Sequence, residues 1–370
     1  MRVVLSAVLT VHGLIHFMGF AKAFGLAELP QLTQPIARPL GLLWLLAGLL
    51  SVGAAWLPLR HYWVVGILAA LLSQAVVLSS WSDAKFGTLP NVIAVLVGLY
   101  SFVAFGPFSL RAAFASDAAA VLQNATASGV LTDADLARLP APVQQFVRTA
   151  GAVGQLRPAS VRARWKGRIR GGASEPWMEF TAVQVNTYGA MANRLFFIDA
   201  TMKGLPVDVY HRFVAEAATA RVRLLSLVTM VDMRGPQMNR SETVTLFNDL
   251  CLLAPGHLTD PAIRWESIDA TSARAFYTRG DQTISAVLRF DESGRLVDFV
   301  SEDRSVASKD GLSFTRQRWT TPLRDPRRFG SLNIASHGEA RWHPPNAPDY
   351  AYVEMDLLEL SPDGVAVPTI

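Results

Sequence analysis

Val3-Val-Leu-Ser-Ala-Val-Leu-Thr-Val-His-Gly-Leu-Ile-His-Phe-Met-Gly-Phe-Ala-Lys-Ala-Phe24 decides how the rest of the chain is read. It carries a single cation, Lys22, and three comparable apolar stretches follow it at Pro39–Leu57, Tyr62–Ser80 and Leu89–Phe108. Each is close to the ~20 residues that a helix needs to cross a hydrocarbon core of ~30 Å. Of the 34 basic and 30 acidic residues, residues 1–110 hold only five basic ones (Arg2, Lys22, Arg38, Arg60, Lys85) and two acidic ones (Glu28, Asp83). The remainder is ordinarily polar and nearly neutral, so the break near Arg111 reads as a domain boundary. The expected organisation is a four-helix transmembrane domain at 1–110, a linker at 111–131 and a soluble domain at 132–370. The fold class is mixed: a transmembrane bundle, then a mainly antiparallel β (α+β) domain whose curved sheet packs one helix.

The first stretch exceeds the 7–15 apolar residues of a signal core, and three more spans follow it, so it is read as retained. With four spans, Arg2, Arg60 and Arg111 mark one side and Lys22, Arg38 and Lys85 the other, a tie that leaves orientation undecided. No run of Lys and Arg resembles a nucleic-acid arm, so nucleic acid is not an expected partner. The single cysteine, Cys251, gives neither a disulfide framework nor a cysteine-rich metal site.

An ionisable residue inside a span is a candidate site. His12 and His16, at i and i+4, share one helix face. No HExxH pattern surrounds them and no third ligand is evident, so no metal or cofactor is expected. On the plain reading their neutral rings bond across the bundle to Ser73, Gln74 or a backbone carbonyl. On the functional one, His12, His16 and Asp83 line a cavity and act as acid/base groups, with Glu28–Gln34 as its lid. Lys22 and Arg38 are the expected partners of Asp83 at the bilayer edge. Lys22, Arg38 and Trp81 are also candidate ligand contacts there, although Trp81, like Trp44, Trp56, Tyr62 and Trp63, fits an interfacial anchor.

Beyond the linker, Asp133–Ala150 reads as a short helix capped by Thr132 or Asp133 and divided by Pro140 and Pro142. The period then becomes two. In Ser160-Val-Arg-Ala-Arg-Trp-Lys-Gly-Arg-Ile-Arg170, apolar positions alternate with five basic ones, the mark of a half-buried strand. The basic stripe could meet anionic headgroups or pair with Glu175 and Glu179 on the next strand. Further strands are expected at Glu175–Val185, Leu195–Met202, Val209–Glu216, Ala220–Val228, Ala273–Arg279, Thr283–Phe290, Arg295–Asp303, Leu312–Thr320, Ile334–His343 and Tyr350–Leu360. Such a series makes a curved antiparallel meander. One helix interrupts it, with capping-box spacing in Asn239-Arg-Ser-Glu242, an apolar stripe of Val244, Phe247 and Cys251, and Pro255-Gly256 at its end. Against that helix the sheet could enclose an apolar cavity or a solid core. There is no GxSxG, Walker A or GxGxxG, and His211, His257, His337 and His343 are scattered. Tyr188, Arg234, Arg304, Trp319 and Trp342, with Asn186, are the candidate ligand-binding residues of this half.

His12-Gly-Leu-Ile-His16 through Phe24, Leu29–Arg38, Trp81-Ser-Asp-Ala-Lys-Phe-Gly87, Leu139–Phe146, Arg234-Gly-Pro236 and Trp265-Glu-Ser-Ile-Asp269 together resemble a family of bacterial integral-membrane proteins of unknown function. The resemblance implies a bacterial cytoplasmic-membrane location and supplies no activity; the soluble half is similar in architecture alone to lipoprotein-carrier folds. The leading expectation is a membrane-anchored module that holds or passes a lipid-like or isoprenoid-like ligand at the bilayer surface, with membrane lipids as partners. The alternatives are an integral-membrane enzyme acting on a lipid-soluble substrate through His12, His16 and Asp83, and a structural or assembly protein.

Overall fold

Leucine, valine and alanine without acidic residues favour uninterrupted helices, and four form: α1 (Arg2–Ala23), α2 (Arg38–Trp56), α3 (Leu59–Ser79) and α4 (Thr88–Phe105). Among the described residues, four helical segments are long and apolar enough to cross a membrane. A computed structural model describes residues 2–308 and 313–363. Contacts divide the chain into two units, 1–112 and 113–370.

In the first unit the inward positions are small or polar. On α2 they are Gly41, Trp44, Ala47, Gly48, Ser51, Ala54 and Ala55; on α4 they are Asn91, Ala94, Gly98, Ser101 and Ala104. The large aliphatic side chains point outward, with Leu49 55%, Leu71 59% and Leu96 61% exposed. A water-soluble bundle does the opposite, whereas helices that associate in lipid place small residues at their contacts.

Part of the expected linker is helical. Helix α5 (Leu110–Gln123) forms because Arg111-Ala-Ala-Phe-Ala-Ser-Asp-Ala-Ala-Ala is rich in the best helix former. Phe114, Ala118 and Val121 are buried at helical spacing. Its Asp117 accepts hydrogen bonds from Tyr210 Oη at 2.8 Å and Arg212 Nε at 2.9 Å. The next segment divides as its prolines require, into a 3₁₀ turn, Asp133–Arg138, capped by Thr132 with Asp135, and α6 (Ala141–Thr149).

The second unit is built on β1 (Ser160–Ile169), β2 (Met178–Thr187), β3 (Asn193–Met202), β4 (Leu205–Val214), β5 (Ala217–Leu224) and β6 (Val228–Arg234). After helix α7 (Pro236–Leu253) come β7 (Ile263–Asp269), β8 (Ser272–Arg279), β9 (Gln282–Phe290) and β10 (Leu296–Ser301). The series ends with β11 (Arg318–Thr320), β12 (Leu323–Phe329), β13 (Leu332–His343) and β14 (Tyr350–Pro362). Among the described residues these form one antiparallel sheet in the order β6-β5-β4-β3-β2-β1-β14-β13-β11-β10-β9-β8-β7, with β12 also on β13. It is a meander whose first and last strands pair at its centre, Trp165 opposite Leu357. Irregular registers at Ala340/Arg341 and Leu357/Glu359 help bend it.

Three strands of this sheet have no counterpart in the sequence reading. Strands β6 and β7 lie at the two ends of the sheet order, largely exposed, with no buried face to impose alternation. Strand β12 contains Pro326 among charged residues, which only an edge position tolerates. The run expected at Leu312–Thr320 is two short strands, Phe314–Arg316 and β11; Leu312 lies outside the described residues.

The capping box at Asn239 does not form. Helix α7 starts earlier, after Gly235, whose φ of 103° suits a glycine. The Asn239 N–H donates within the helix to the Gly235 carbonyl, and its side chain accepts from the Ala218 N–H at 2.8 Å. Glu242 is thereby released for another role. Val244, Phe247 and Cys251 are fully buried as expected, and so are Leu246 and Leu250, because sheet and loops cover this helix on most sides. Arg164, Lys166 and Arg168 of the basic stripe are ion-paired, but to Glu359, Asp356 and Glu354 of β14 instead of Glu175 and Glu179, while Arg162 is buried and Arg170 donates to the Ala351 and Ala173 carbonyls.

Candidate functional site

In the helical unit, His12 and His16 are 4% and 1% exposed. Their rings meet edge to face at 4.5 Å, and His16 lies 5.1 Å from the Trp44 ring. Ser73 Oγ of α3 stands between them, 2.9 Å from His12 Nε2 and 2.8 Å from His16 Nε2. His16 Nδ1 donates to the His12 carbonyl at 2.8 Å. Asn91 Oδ1 of α4 is 3.0 Å from His12 Nε2, and the Asn91 amide donates to Gln74 Oε1 at 3.0 Å. Three helices thus contribute to one continuous polar chain inside the bundle. Ser73 is a direct partner of both rings; Gln74 is one step removed.

Asp83 does not pair with Lys22 or Arg38. Its carboxylate takes the backbone N–H of Thr33 at 2.6 Å, that of Gln34 at 3.0 Å and the Thr33 hydroxyl at 2.8 Å. It therefore ties the 26–38 loop to the 81–87 turn. Lys22 donates to the Leu32 carbonyl from the other direction, and Arg38 lies over the Phe24 ring at 5.9 Å. Backbone amides satisfy the carboxylate without a second charge, which suits a bilayer edge.

Beneath this tied loop is a cavity of about 580 Å³. Its walls include His12, His16, Trp44 and Asp83, with Gln31 and Leu32 of the loop and Phe86 and Gly87 of the turn, and it is half open to its surroundings. The two histidines and the aspartate thus border one chamber, while Lys22, Arg38 and Trp81 are not among its walls; Trp81 is 49% exposed.

In the β unit the concave face holds a smaller space, about 110 Å³. It is walled by an ion cluster on which sequence reasoning was silent. Arg194 of β3 donates from Nε to Asp249 at 2.6 Å and from Nη1 to Glu242 at 3.1 Å, both carboxylates lying on α7. Gln184 Nε2 donates to Asp249 at 2.6 Å, and His211 Nδ1 is 3.1 Å from Glu242. Burial alone would raise the Glu242 carboxyl, but Arg194 and His211 outweigh it and hold it below the usual carboxylate range. Glu242 and Asp249, two turns apart on a helix otherwise buried by apolar residues, were the available signal.

Arg304, Trp319 and Trp342 do come together here. The Arg304 guanidinium lies 4.5 Å from the Trp319 ring centre and 5.8 Å from that of Trp342, and Trp319 Nε1 donates to Tyr352 at 3.1 Å. Tyr188 and Arg234 stand elsewhere: Tyr188 is a core residue stacked on His257 at 4.9 Å, and Arg234 lies on the end strand β6, paired with Asp232 at 3.3 Å. Asn186 donates to Asp249 at 3.4 Å. Among the described residues no cluster of three His, Cys, Asp or Glu is arranged to hold a metal ion.

His257 carries a pH prediction. Burial lowers its pKa from the ordinary 6.5, against the opposing hydrogen bond to the Pro158 carbonyl at 2.8 Å. The unfolded chain then takes up a proton that the folded one refuses, so this contribution to stability is complete above 6.5 and lost as pH falls below it. Denaturation midpoints of the full chain in detergent should fall between about pH 7 and about pH 5, and His257→Gln should flatten that fall. An identical slope in the variant would remove His257 as its source.

A family model described as "Family of unknown function (DUF6544)" matches residues 129–355, all within the β unit. Among solved structures, the chain is similar to a putative outer membrane lipoprotein-sorting protein domain from Vibrio parahaemolyticus, at 12% identity and a TM-score of 0.32 over 55% of this chain and 85% of that one. It is also similar to a DUF1329 family protein from Desulfovibrio piger, at 13% identity and a TM-score of 0.29 over 62% and 95%. A LolA superfamily protein from Nitrosomonas europaea follows at 11% identity and a TM-score of 0.26 over 67% and 94%. Comparison with curated proteins finds no match.

Proposed function

The chain belongs to the DUF6544 family, whose function is unknown, so with no activity to inherit we propose from geometry that it is a membrane-embedded binding protein for a lipid-soluble small molecule. The ligand sits in the helical unit, beneath the loop that Asp83 holds. The single observation that carries this reading is the chamber of about 580 Å³, apolar over most of its walls and bordered by His12 and His16. Small-molecule sites run to about 300–1,000 Å³, mostly apolar with a few convergent polar groups. The space on the concave face of the sheet, about 110 Å³ with an ion cluster in its wall, falls below that range. We therefore assign the ligand to the bundle and not to the concave face of the sheet. Buried histidines in a span are costly, and a ligand that uses them gives that cost a function.

The test is native mass spectrometry and solvent extraction of the full-length protein in mild detergent. Wild type should release a lipid-soluble compound in roughly stoichiometric amount, and Ala84→Trp, which fills the chamber from its wall, should lose at least about 90% of it. Equal yields from the two proteins would overturn the proposal.

A further inference from the structure

The hydrogen-bond chain through the two histidines has a direction, and it can be worked out atom by atom. A carbonyl oxygen can only accept, so His16 Nδ1, 2.8 Å from the His12 carbonyl, carries the ring proton, and His16 Nε2 is a lone pair. Ser73 must spend its one hydrogen on that lone pair. Its oxygen then has only lone pairs to offer His12 Nε2, so this nitrogen carries a proton. Asn91 agrees independently: it donates its amide to Gln74 and so turns its oxygen toward the same His12 nitrogen. What remains is His12 Nδ1, a bare acceptor. The ring edge beside it, at Cε1, lies under Gly87, where a built Cβ would come within 3.3 Å. Both residues border the chamber.

A second buried polar atom faces the same question. Trp44 is 2% exposed and borders the chamber, yet its indole N–H has no hydrogen-bond partner among the described residues. An orphaned buried donor is uncommon and costs about 1–3 kcal/mol. The Trp44 N–H is shielded from the chamber, so the polar groups on its mostly apolar walls are His12 Nδ1, a bare acceptor, together with Gln31 and the Asp83 carboxylate, the latter already tied to the loop.

Resting on the proposed ligand chamber, we infer that its ligand is a hydroxyl-bearing lipid-soluble molecule. The O–H donates to His12 Nδ1. A molecule with acceptor oxygens only, such as an ether, leaves the His12 lone pair without a proton to accept and is rejected.

The probe pair is radiolabelled 4-octylphenol and its methyl ether, 4-octylanisole, which differ in the donor alone. Each is bound to full-length protein in lipid nanodiscs and corrected for uptake by empty nanodiscs. The phenol should bind tighter than the ether by about tenfold to a hundredfold, the range set by one buried acceptor left unpaired. His12→Leu should bring the two probes level, and Gly87→Val, which presses on Val77 and His12, should weaken both. Equal binding of both probes to wild type, with both lost in Gly87→Val, overturns the hydroxyl inference and leaves the chamber standing. No saturable binding of either probe, unchanged in Gly87→Val, overturns both readings. The wild-type comparison needs no variant to fold.

Discussion

Arg194→Ala should destabilise the β unit by about 3–5 kcal/mol, a large share of the 5–15 kcal/mol that holds a typical domain folded. The Arg194 side chain is 7% exposed, with Glu242 at 1% and Asp249 at 7%. Burial opposes its charge, but Asp249 and Glu242 more than compensate and raise its pKa. Removing the cation leaves two carboxylates in a site from which water is excluded, with His211, Gln184, Asn186 and the charge of Arg304 to answer them. The penalty comes from the charges left behind more than from the worth of the ion pair. Arg194→Met combined with Glu242→Gln and Asp249→Asn should therefore recover much of the loss. Because the Glu242 carboxyl is held below its ordinary 4.5, its contribution is present above that value and lost as pH falls below it. Urea denaturation of the full-length chain in detergent, followed by tryptophan emission, measures each. A loss under about 1 kcal/mol for Arg194→Ala would mean that water reaches the cluster and solvates the carboxylates.

The ion cluster also marks where sequence reasoning stops. The limits of the four long helices were legible to within a few residues because apolar composition and length decide them. Most strands of the meander were legible because one buried face imposes a period of two. End strands such as Val228–Arg234 have no such face. The pairing of His12 and His16 with Ser73 was foreseeable, since a polar residue in the middle of α3 needs a partner. The partners of Asp83 were not, because backbone amides leave no signature in side-chain identity. Arg164, Lys166 and Arg168 find their carboxylates on β14, almost two hundred residues away, since the meander closes its first strand on its last. From the sequence Glu242 reads as part of a helix cap, and Asp249 is not singled out. They became an interior cluster because the sheet covers their side of the helix too.

Gly48→Leu should abolish the folded bundle, with a cost at or above the upper end of the about 1–3 kcal/mol usual for overpacking. A Cβ at Gly48 would lie 2.8 Å from the Gly13 carbonyl oxygen and 2.6 Å from Phe17 Cε1; one at Gly13 would lie 2.9 Å from the Gly48 carbonyl oxygen. Backbone sits on both sides, so no rotamer change relieves the clash and the helices must separate. In lipid, dispersion across a close contact is much of what holds a helix pair together, and it falls steeply with distance. The contact also sets the chamber: Gly13 lies between His12 and His16 on α1, and Trp44 is one turn before Gly48 on α2. Opening the pair pulls His16 away from Trp44, now at 5.1 Å, and moves the acceptor proposed to hold the ligand. Gly53→Leu is the control, because on the same helix a Cβ there meets nothing within 4 Å. In fluorescence-detected size-exclusion melting, Gly48→Leu should run as aggregate and Gly53→Leu as wild type. If both variants melt alike, the Gly13–Gly48 approach is not what joins α1 to α2. If Gly48→Leu instead folds but no longer retains ligand, the close contact shapes the chamber without holding the bundle.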